Sequence, residues 1–152
     1  MELHKEGKQN LYNKMENKII LNGNDESFLS ISLSDILSKI DKGEEFEWKL
    51  LFLEATTETD LDILNLEKKI NESDSGYLIS WFDLVKLSNQ IYQIMEILLI
   101  GSKNSKNLKR YISEDEMRVH CDFCIELIDS SYWEVDSKNK NLLNNLKSLE
   151  KF

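Results

Sequence analysis

The chain has 152 residues, of which 41% are hydrophobic and 31% charged, and its net charge is −9. This length and composition predict one globular domain with its own core, and no apolar stretch is long enough to span a membrane. The first residues lack the apolar core of a signal peptide and two cysteines are too few for a disulfide framework, so a cytoplasmic protein is expected.

The N-terminal part of the chain predicts little regular structure. Residues 1–18 carry scattered apolar positions and both charges, which suits a short helix or a loosely ordered arm. Residues 19–21 predict a short strand that enters a tight turn at Asn22-Gly23, because this pair supplies the positive φ that such turns require. In residues 28–33 apolar side chains alternate with serine, which predicts a half-buried strand.

The middle of the chain alternates between helix and strand signals. Ser34 is the expected N-cap of a helix over 34–42, and Gly43 offers it a left-handed exit. Residues 46–54 predict a strand that is apolar on both faces and therefore lies inside a covered sheet. Phe46, Trp48, Leu50 and Phe52 would share one face of that strand, and Leu51 and Leu53 the other. Caps and apolar stripes predict further helices at about 60–71, 81–90 and 138–150.

The last part of the sheet has one ambiguous segment and one clear strand. Residues 91–100 suit either a helix or a strand, with a strand favoured for the second half. Residues 118–128 predict the clearest strand, because apolar and polar side chains alternate over ten positions. A short strand at 132–135 should follow a turn. The whole chain, 1–152, is therefore expected to be a single α+β domain whose mixed or mostly antiparallel sheet carries packed helices.

The sequence His120-Cys121-x-x-Cys124 is the one grouping of soft ligands. Residues three apart on a strand point to opposite faces, so the two sulfurs should diverge, and neither a metal site nor a disulfide is expected. His120, Asp122 and Cys124 would share the strand's other face, which leaves a Cys/His-dependent enzyme as an alternative. The five glycines are too far apart for a phosphate-binding loop, so no cofactor is expected.

The acidity of the chain is concentrated in one region. Residues 25–83 hold 15 acidic residues against five lysines, a net charge of −10. Nucleic acids and anionic membranes are bound by clustered cations, so neither is an expected partner, whereas a basic protein is. The candidate partner-binding residues in this segment are Glu44, Glu45, Glu58, Asp60 and Asp62.

Tyr132 and Trp133 add an aromatic candidate for partner binding. Because adjacent strand residues face opposite ways, one of the two rings should point away from the inner face of the sheet. An exposed aromatic ring beside acidic residues would be a binding hot spot. Coverage of this strand by the last helix is the alternative.

Two stretches, ISWFDLVKLSNQIYQIMEILLIG and CDFCIELIDSSYWEVDSK, resemble small uncharacterised bacterial proteins of the kind encoded beside polymorphic toxins as immunity proteins. The resemblance covers about half of the chain and consists of a Ser-Trp helix start, an Ile-Gly strand end and an acidic DSSYWE turn. It implies a non-enzymatic cytoplasmic protein that binds and blocks a cognate toxin, often through an acidic surface. The main alternative is a structural or regulatory subunit with an apolar interface.

Overall fold

The computed structural model describes residues 17–22 and 31–150, which form a six-stranded antiparallel sheet and five α-helices. The strands are β1 (Lys18–Leu21), β2 (Glu47–Thr57), β3 (Tyr77–Ile79), β4 (Ile91–Ser102), β5 (Phe123–Ile128) and β6 (Tyr132–Ser137). The helices are α1 (Leu33–Leu37), α2 (Ile63–Asn71), α3 (Trp81–Gln90), α4 (Glu114–His120) and α5 (Lys140–Lys147). The strand order is β1-β6-β5-β4-β2-β3, so the predicted α+β fold with an antiparallel sheet is confirmed.

The main core lies on one face of the sheet, here called the first face. Alternate strand residues point into it because side chains change sides at every position along a strand. The apolar sides of α1, α3 and α5 cover this face. Trp48 stacks on Phe123 with ring centroids 5.1 Å apart, and its indole N–H donates to the Gly43 carbonyl at 2.9 Å. The polar end of the buried indole is thereby satisfied.

A β-bulge changes the predicted faces of β2. The pairing with β4 slips between Leu50 and Phe52, so one extra residue is inserted into β2. Leu53 therefore joins Trp48 in the main core, whereas Phe52 is 37% exposed. The prediction that Phe52 shares the face of Trp48 is wrong, because strict alternation does not survive a bulge. Leu51 is buried in a separate cluster on the opposite face.

The edge of β2 beyond the short strand β3 is covered by side chains. The Leu53 N–H donates to Asn71 Oδ1 at 3.1 Å, and Asn71 Nδ2 donates to the Leu53 carbonyl at 3.2 Å. The Ala55 N–H donates to Glu67 Oε1 at 2.7 Å, and Arg110 Nη1 donates to the Leu51 carbonyl at 2.7 Å. These side chains make the hydrogen bonds that a neighbouring strand would otherwise make, so this edge of β2 cannot pair with another strand here.

The strand predicted at 28–33 is not found where the structure describes it. Residues 28–30 lie outside the described residues, and Ile31 and Ser32 are not in a strand. Ser32 instead caps α1, since its hydroxyl accepts from the Asp35 N–H at 3.1 Å while the Asp35 carboxylate accepts from the Ser32 N–H at 2.9 Å. This reciprocal capping box starts the helix earlier than the expected cap at Ser34.

The end of the first helix also differs from the prediction. α1 stops at Leu37, short of the expected residue 42, and Lys42 adopts the left-handed conformation that was expected of Gly43. Gly43 is required for a different reason. A Cβ at this position would lie within 3 Å of the Trp81 ring, so the close approach of an aromatic side chain excludes larger residues.

Several other elements follow the sequence pattern. α3 begins after the Ser80 cap as predicted, and the ambiguous segment at 91–100 is strand throughout. The helix expected from 60 begins at Ile63 with Asp62 as its cap, and the last helix is α5 followed by a 3-10 turn. Apart from residues 17 and 18, the N-terminal arm expected at 1–18 lies outside the described residues, as does Gly23.

The strand predicted at 118–128 is half wrong. Residues 114–120 form α4, capped by Ser113 and carrying three acidic residues in its first turn, and β5 begins only at Phe123. Acidic side chains at a helix N-terminus are stabilised by the helix dipole, so the first turn of this segment favours a helix. Among the described residues, every helix is too short or too polar to cross a lipid bilayer.

Candidate functional site

The structure separates the five acidic residues that the sequence singled out. Glu44 and Glu45 precede β2, whereas Glu58, Asp60 and Asp62 follow it. β2 has 11 residues, and at about 3.3 Å per residue its ends lie roughly 30 Å apart. The five carboxylates are exposed but form two groups instead of one surface.

The two aromatic candidates on β6 have different environments. Trp133 is 1% exposed and belongs to the main core, where its indole N–H donates to the Ile31 carbonyl at 2.9 Å. Tyr132 points to the opposite face of the sheet and is half-buried. Tyr132 is therefore the aromatic side chain of this pair that reaches the protein surface.

Cys121 and Cys124 are free thiols in one buried cluster, not on opposite faces as predicted. The prediction fails because α4 ends at His120 and the chain turns before β5. A hydrogen bond between the two thiols raises the pKa of Cys124, and burial adds to this increase. The same hydrogen bond lowers the pKa of Cys121, although burial acts in the opposite direction. No group of three or more His, Cys, Asp or Glu side chains within the described ranges could hold a metal ion.

The three residues of the enzyme alternative contact different groups. The His120 ring stacks on Tyr111, and its Nδ1 lies 2.7 Å from the Glu116 carbonyl oxygen. Asp122 accepts from the Lys103 N–H at 2.9 Å. Cys124 is buried and its thiol lies 3.6 Å from the carbonyl oxygen of Met117. The prediction that His120 and Cys124 share a strand face is wrong, because His120 is in α4.

The second face of the sheet is covered by the described residues at one end only. The segment 103–122, with α4, packs a small apolar cluster over this end, and that cluster contains Leu51, Ile100, Leu108, Met117, Cys121 and Cys124. The neighbouring row of paired residues crosses five strands in the order Ile20, Glu134, Glu126, Leu98 and Phe52. Ile20 is 46% exposed, so large apolar side chains reach the surface here.

A second pair of carboxylates adjoins this row. Glu54 on β2 is paired with Glu96 on β4, and both point away from the main core. We call the surface made by Ile20, Phe52, Glu54, Glu96, Leu98, Glu126 and Glu134 the open face. Strands lie about 4.8 Å apart, so its four carboxylates occupy adjoining positions.

Arg118 on α4 lies beside the open face and contacts four carboxylates. Its Nη2 lies 2.9 Å from Glu134 and 3.7 Å from both Glu126 and Glu114, and its Nε lies 3.2 Å from Asp136. Burial lowers the pKa of Arg118, but the four carboxylates outweigh it and raise this pKa overall. One guanidinium is therefore shared among four negative charges.

The carboxylates beside Arg118 are incompletely compensated. Burial raises the pKa of Glu126, and the negative charge of Glu114 raises it further although Arg118 acts in the opposite direction. Burial likewise raises the pKa of Asp136. A hydrogen bond with Asp129 raises the pKa of Glu96, and the charge of Glu54 adds to this effect. Desolvation and like charges thus disfavour the ionised carboxylates on this surface.

A cavity of about 460 Å³ lies on the first face, between α1, the end of α3 and the β5–β6 hairpin. Its described lining consists of apolar and uncharged polar side chains. The hydroxyl of Ser88 is bonded to the Val85 carbonyl at 2.6 Å, and that of Ser130 to the Met95 carbonyl at 3.3 Å. Tyr92 is the titratable side chain of the described lining, so the cavity offers no carboxylate, imidazole or thiol of the described part of the chain for catalysis.

The sequence signal for the open face was present but was not assigned to a site. Glu54, Glu96 and Glu126 each stand between apolar residues in a strand, a pattern that also describes an ordinary solvent-facing side. Their convergence depends on which strands are neighbours. Arg118 was missed because its segment was predicted to be strand. Searches of protein-family models, curated proteins and solved structures found no match to this chain.

Proposed function

We propose that this chain is a non-enzymatic, cytoplasmic protein-binding module that engages a basic protein through the open face. A cognate toxin, neutralised by an immunity protein of bacterial type, is the form of this function that the sequence resemblance favours. The observation that carries the proposal is the crowding of Glu54, Glu96, Glu126 and Glu134 on one sheet surface, where Arg118 contacts Glu126 and Glu134 and Lys18 contacts Glu134.

Charge complementarity supports a cationic partner. A hydrogen bond with Asp129 raises the pKa of Glu96 and burial raises that of Glu126, and like charges add to both increases. Lysine or arginine side chains of a partner would relieve this like-charge repulsion. The same surface would repel the phosphates of nucleic acids and of anionic lipids. The exposed Phe52 and Ile20 supply apolar contact area, which charge alone does not provide.

The enzyme alternative has less support. A nucleophilic cysteine needs a lowered pKa and a base within hydrogen-bonding distance. The hydrogen bond with Cys121 and burial raise the pKa of Cys124. The pKa of Cys121 is lowered, but its thiol is buried, and His120 contacts Tyr111 and a backbone carbonyl. These contacts favour binding over catalysis as the function.

The test compares two variants with equal net charge. One carries Glu54→Gln, Glu96→Gln and Glu126→Gln on the open face, and the matched control carries Glu44→Gln, Glu45→Gln and Glu58→Gln. A partner is captured from the native bacterium with the wild-type chain, and association rates are then measured for all three proteins. We expect the open-face variant to associate about tenfold more slowly at 0.1 M salt, and the control to associate nearly as fast as wild type.

Salt concentration separates the remaining possibilities. The screening length falls from about 10 Å at 0.1 M to about 3 Å at 1 M salt, so wild-type association should slow markedly. Equal losses in both variants would mean that net charge alone matters. A larger loss in the control would assign binding to the acidic segment around β2, and an association rate unaffected by salt would favour a subunit with an apolar interface.

A further inference from the structure

Cys121 and Cys124 lie within reach of each other, which removes the reason for excluding a disulfide. The sequence predicted that the two side chains diverge from one strand, whereas the structure brings both into the small apolar cluster on the second face. Their thiols are hydrogen-bonded to each other. Two sulfurs already at hydrogen-bonding distance need only a small further approach to the roughly 2.05 Å of a disulfide.

The two cysteines belong to different elements that meet at Met117. Cys121 is the residue at which α4 ends, and its N–H donates to the Met117 carbonyl at 3.0 Å. Cys124 lies in β5, and its thiol is 3.6 Å from the same carbonyl oxygen. A disulfide between them would therefore join the last turn of α4 covalently to β5.

The two thiols differ in how readily they ionise. The hydrogen bond with Cys124 lowers the pKa of Cys121, and a hydrogen bond with the Tyr111 hydroxyl lowers it further, although burial acts in the opposite direction. The pKa of Cys124 is raised. Because the thiolate is the nucleophile in thiol chemistry, Cys121 is the sulfur suited to attack an oxidant first.

A groove of about 280 Å³ adjoins the two cysteines on the second face. Its lining includes Met117 of the same apolar cluster and Tyr111, whose hydroxyl is bonded to Cys121. Each cysteine is only 2% exposed, which disfavours attack on a bulky reagent. Hydrogen peroxide is close in size to a water molecule, which takes about 30 Å³ in the liquid, so the groove has room for it. The surroundings of this pair therefore suit a small oxidant.

We propose that Cys121 and Cys124 form a redox switch, in which a small peroxide converts the two thiols to an intramolecular disulfide that fastens α4 to β5. The Cys121 thiolate attacks one peroxide oxygen, so that an S–O bond forms, the O–O bond breaks and hydroxide leaves. The proton that Cys121 has lost converts this hydroxide to water. The Cys124 sulfur then loses its proton and attacks the sulfenic acid at Cys121, which forms the S–S bond and releases a second water. In total, two thiols lose two electrons and two protons, and one peroxide is reduced to two water molecules.

The mass of the intact protein measures disulfide formation, because the full chain contains only these two cysteines. The reduced protein is treated with a small molar excess of hydrogen peroxide at pH 7 and then alkylated in denaturant. We expect a loss of two hydrogen atoms without alkylation or cross-linked chains, and recovery of both thiols with dithiothreitol. Amide hydrogen exchange in α4 should slow about tenfold or more in the oxidised protein, because its last turn is tied to β5.

Three variants assign the steps to individual side chains. Cys124→Ser, treated with peroxide and dimedone, should accumulate sulfenic acid at Cys121, because the second sulfur is missing while the Tyr111 hydrogen bond remains. Cys121→Ser should react about tenfold more slowly, because burial raises the pKa of the remaining thiol. Tyr111→Phe should slow disulfide formation about threefold or more, whereas Tyr92→Phe, at the cavity on the first face, should leave the rate unchanged.

Several outcomes would overturn the redox switch. Retention of two alkylatable thiols after peroxide treatment would do so, as would a disulfide between two chains. Oxidation of Cys121 to sulfinic acid in the wild-type protein would mean that Cys124 does not reach it in time. A disulfide that leaves hydrogen exchange in α4 unchanged would mean that the bond forms without fastening the helix, which also contradicts the proposal.

Discussion

Cys121 and Cys124 show how one turn of the chain decides the environment of a side chain. Both thiols lie in the small cluster on the second face, where that of Cys121 is 3.4 Å from the Asn107 carbonyl oxygen. Tyr111 lies beside them, and burial together with Cys121 raises the pKa of Tyr111 to about 12. Buried thiols of this kind act as small hydrophobic residues.

We expect both thiols to react slowly with a disulfide reagent in the native protein at pH 7. Reaction needs an accessible thiolate, and the two side chains are buried. The rate of the thiol reaction is measured from the absorbance increase with Ellman's reagent, in the presence and in the absence of denaturant. The Cys121→Ser variant isolates Cys124 and removes its hydrogen bond with Cys121, and burial alone should then keep this thiol slow to react. Rapid reaction of Cys124 in the folded protein would restore the enzyme alternative.

Gly101 is a second position where one side chain decides the packing. A Cβ there would lie 2.6 Å from Cζ3 of Trp48, which is itself fully buried. We expect Gly101→Ala to lower the free energy of unfolding by about 1–3 kcal/mol, since a packed core accommodates no extra atom without strain. Urea denaturation measures the change. Gln93→Ala, at an exposed position of the same strand, should change it by less than about 0.5 kcal/mol.

At the scale of elements, α2 completes the edge of β2 with side chains. Asn71 reproduces both hydrogen bonds of a neighbouring strand residue by pairing with the N–H and the carbonyl of Leu53. Glu67 continues this pattern at Ala55. The arrangement explains how β3 can be only three residues long while β2 stays ordered over 11.

Asn71→Ala should therefore destabilise the fold by about 1–3 kcal/mol, because it leaves two backbone groups of Leu53 without partners. The matched control is Asn144→Ala on the exposed side of α5, where the better helix propensity of alanine should make the change neutral or slightly favourable. Thermal or urea unfolding of both variants measures the difference. Similar stabilities would mean that water replaces the Asn71 amide without cost.

At the scale of the whole molecule, the charges of distant segments meet on one sheet surface. Glu126 and Asp136 are less readily ionised in the folded protein than in the unfolded chain, since burial raises the pKa of both. The native state therefore binds more protons than the unfolded state just above the ordinary values of 4.5 and 3.8. The contribution of these groups to stability consequently grows as pH falls through their raised pKa values.

We expect the free energy of unfolding to rise on acidification from pH 7 to about 5, contrary to the usual behaviour of ion-paired carboxylates. Urea midpoints measured across this range test the sign. In the Glu96→Gln, Glu126→Gln double variant, the free energy of unfolding should be higher at pH 7 and should change less with pH. The reason is that the variant lacks two carboxylates whose ionised form is disfavoured in the folded protein. A wild-type stability that falls on acidification, or parallel profiles for the two proteins, would contradict this account.

The features that depend on nearby residues were predictable from the sequence alone. The Ser80 cap and its apolar stripe predicted α3 to the residue at its start, a run that is apolar on both faces identified most of β2, and alternation identified the core of β5. Composition and the order of these elements were sufficient for the α+β class. Each of these signals extends over a few residues, so it can be recognised in the sequence without knowledge of the rest of the fold.

Tertiary structure decided the bulge in β2, the helical state of 114–120 and the site. Phe52 reaches the surface because β4 pairs with β2 out of simple register, a relation between residues more than 40 positions apart. Glu54, Glu96 and Glu126 meet because β2, β4 and β5 are neighbours, whereas the five carboxylates that the sequence singled out lie at the two ends of β2. Strand order depends on long-range burial and pairing, which local periodicity does not encode.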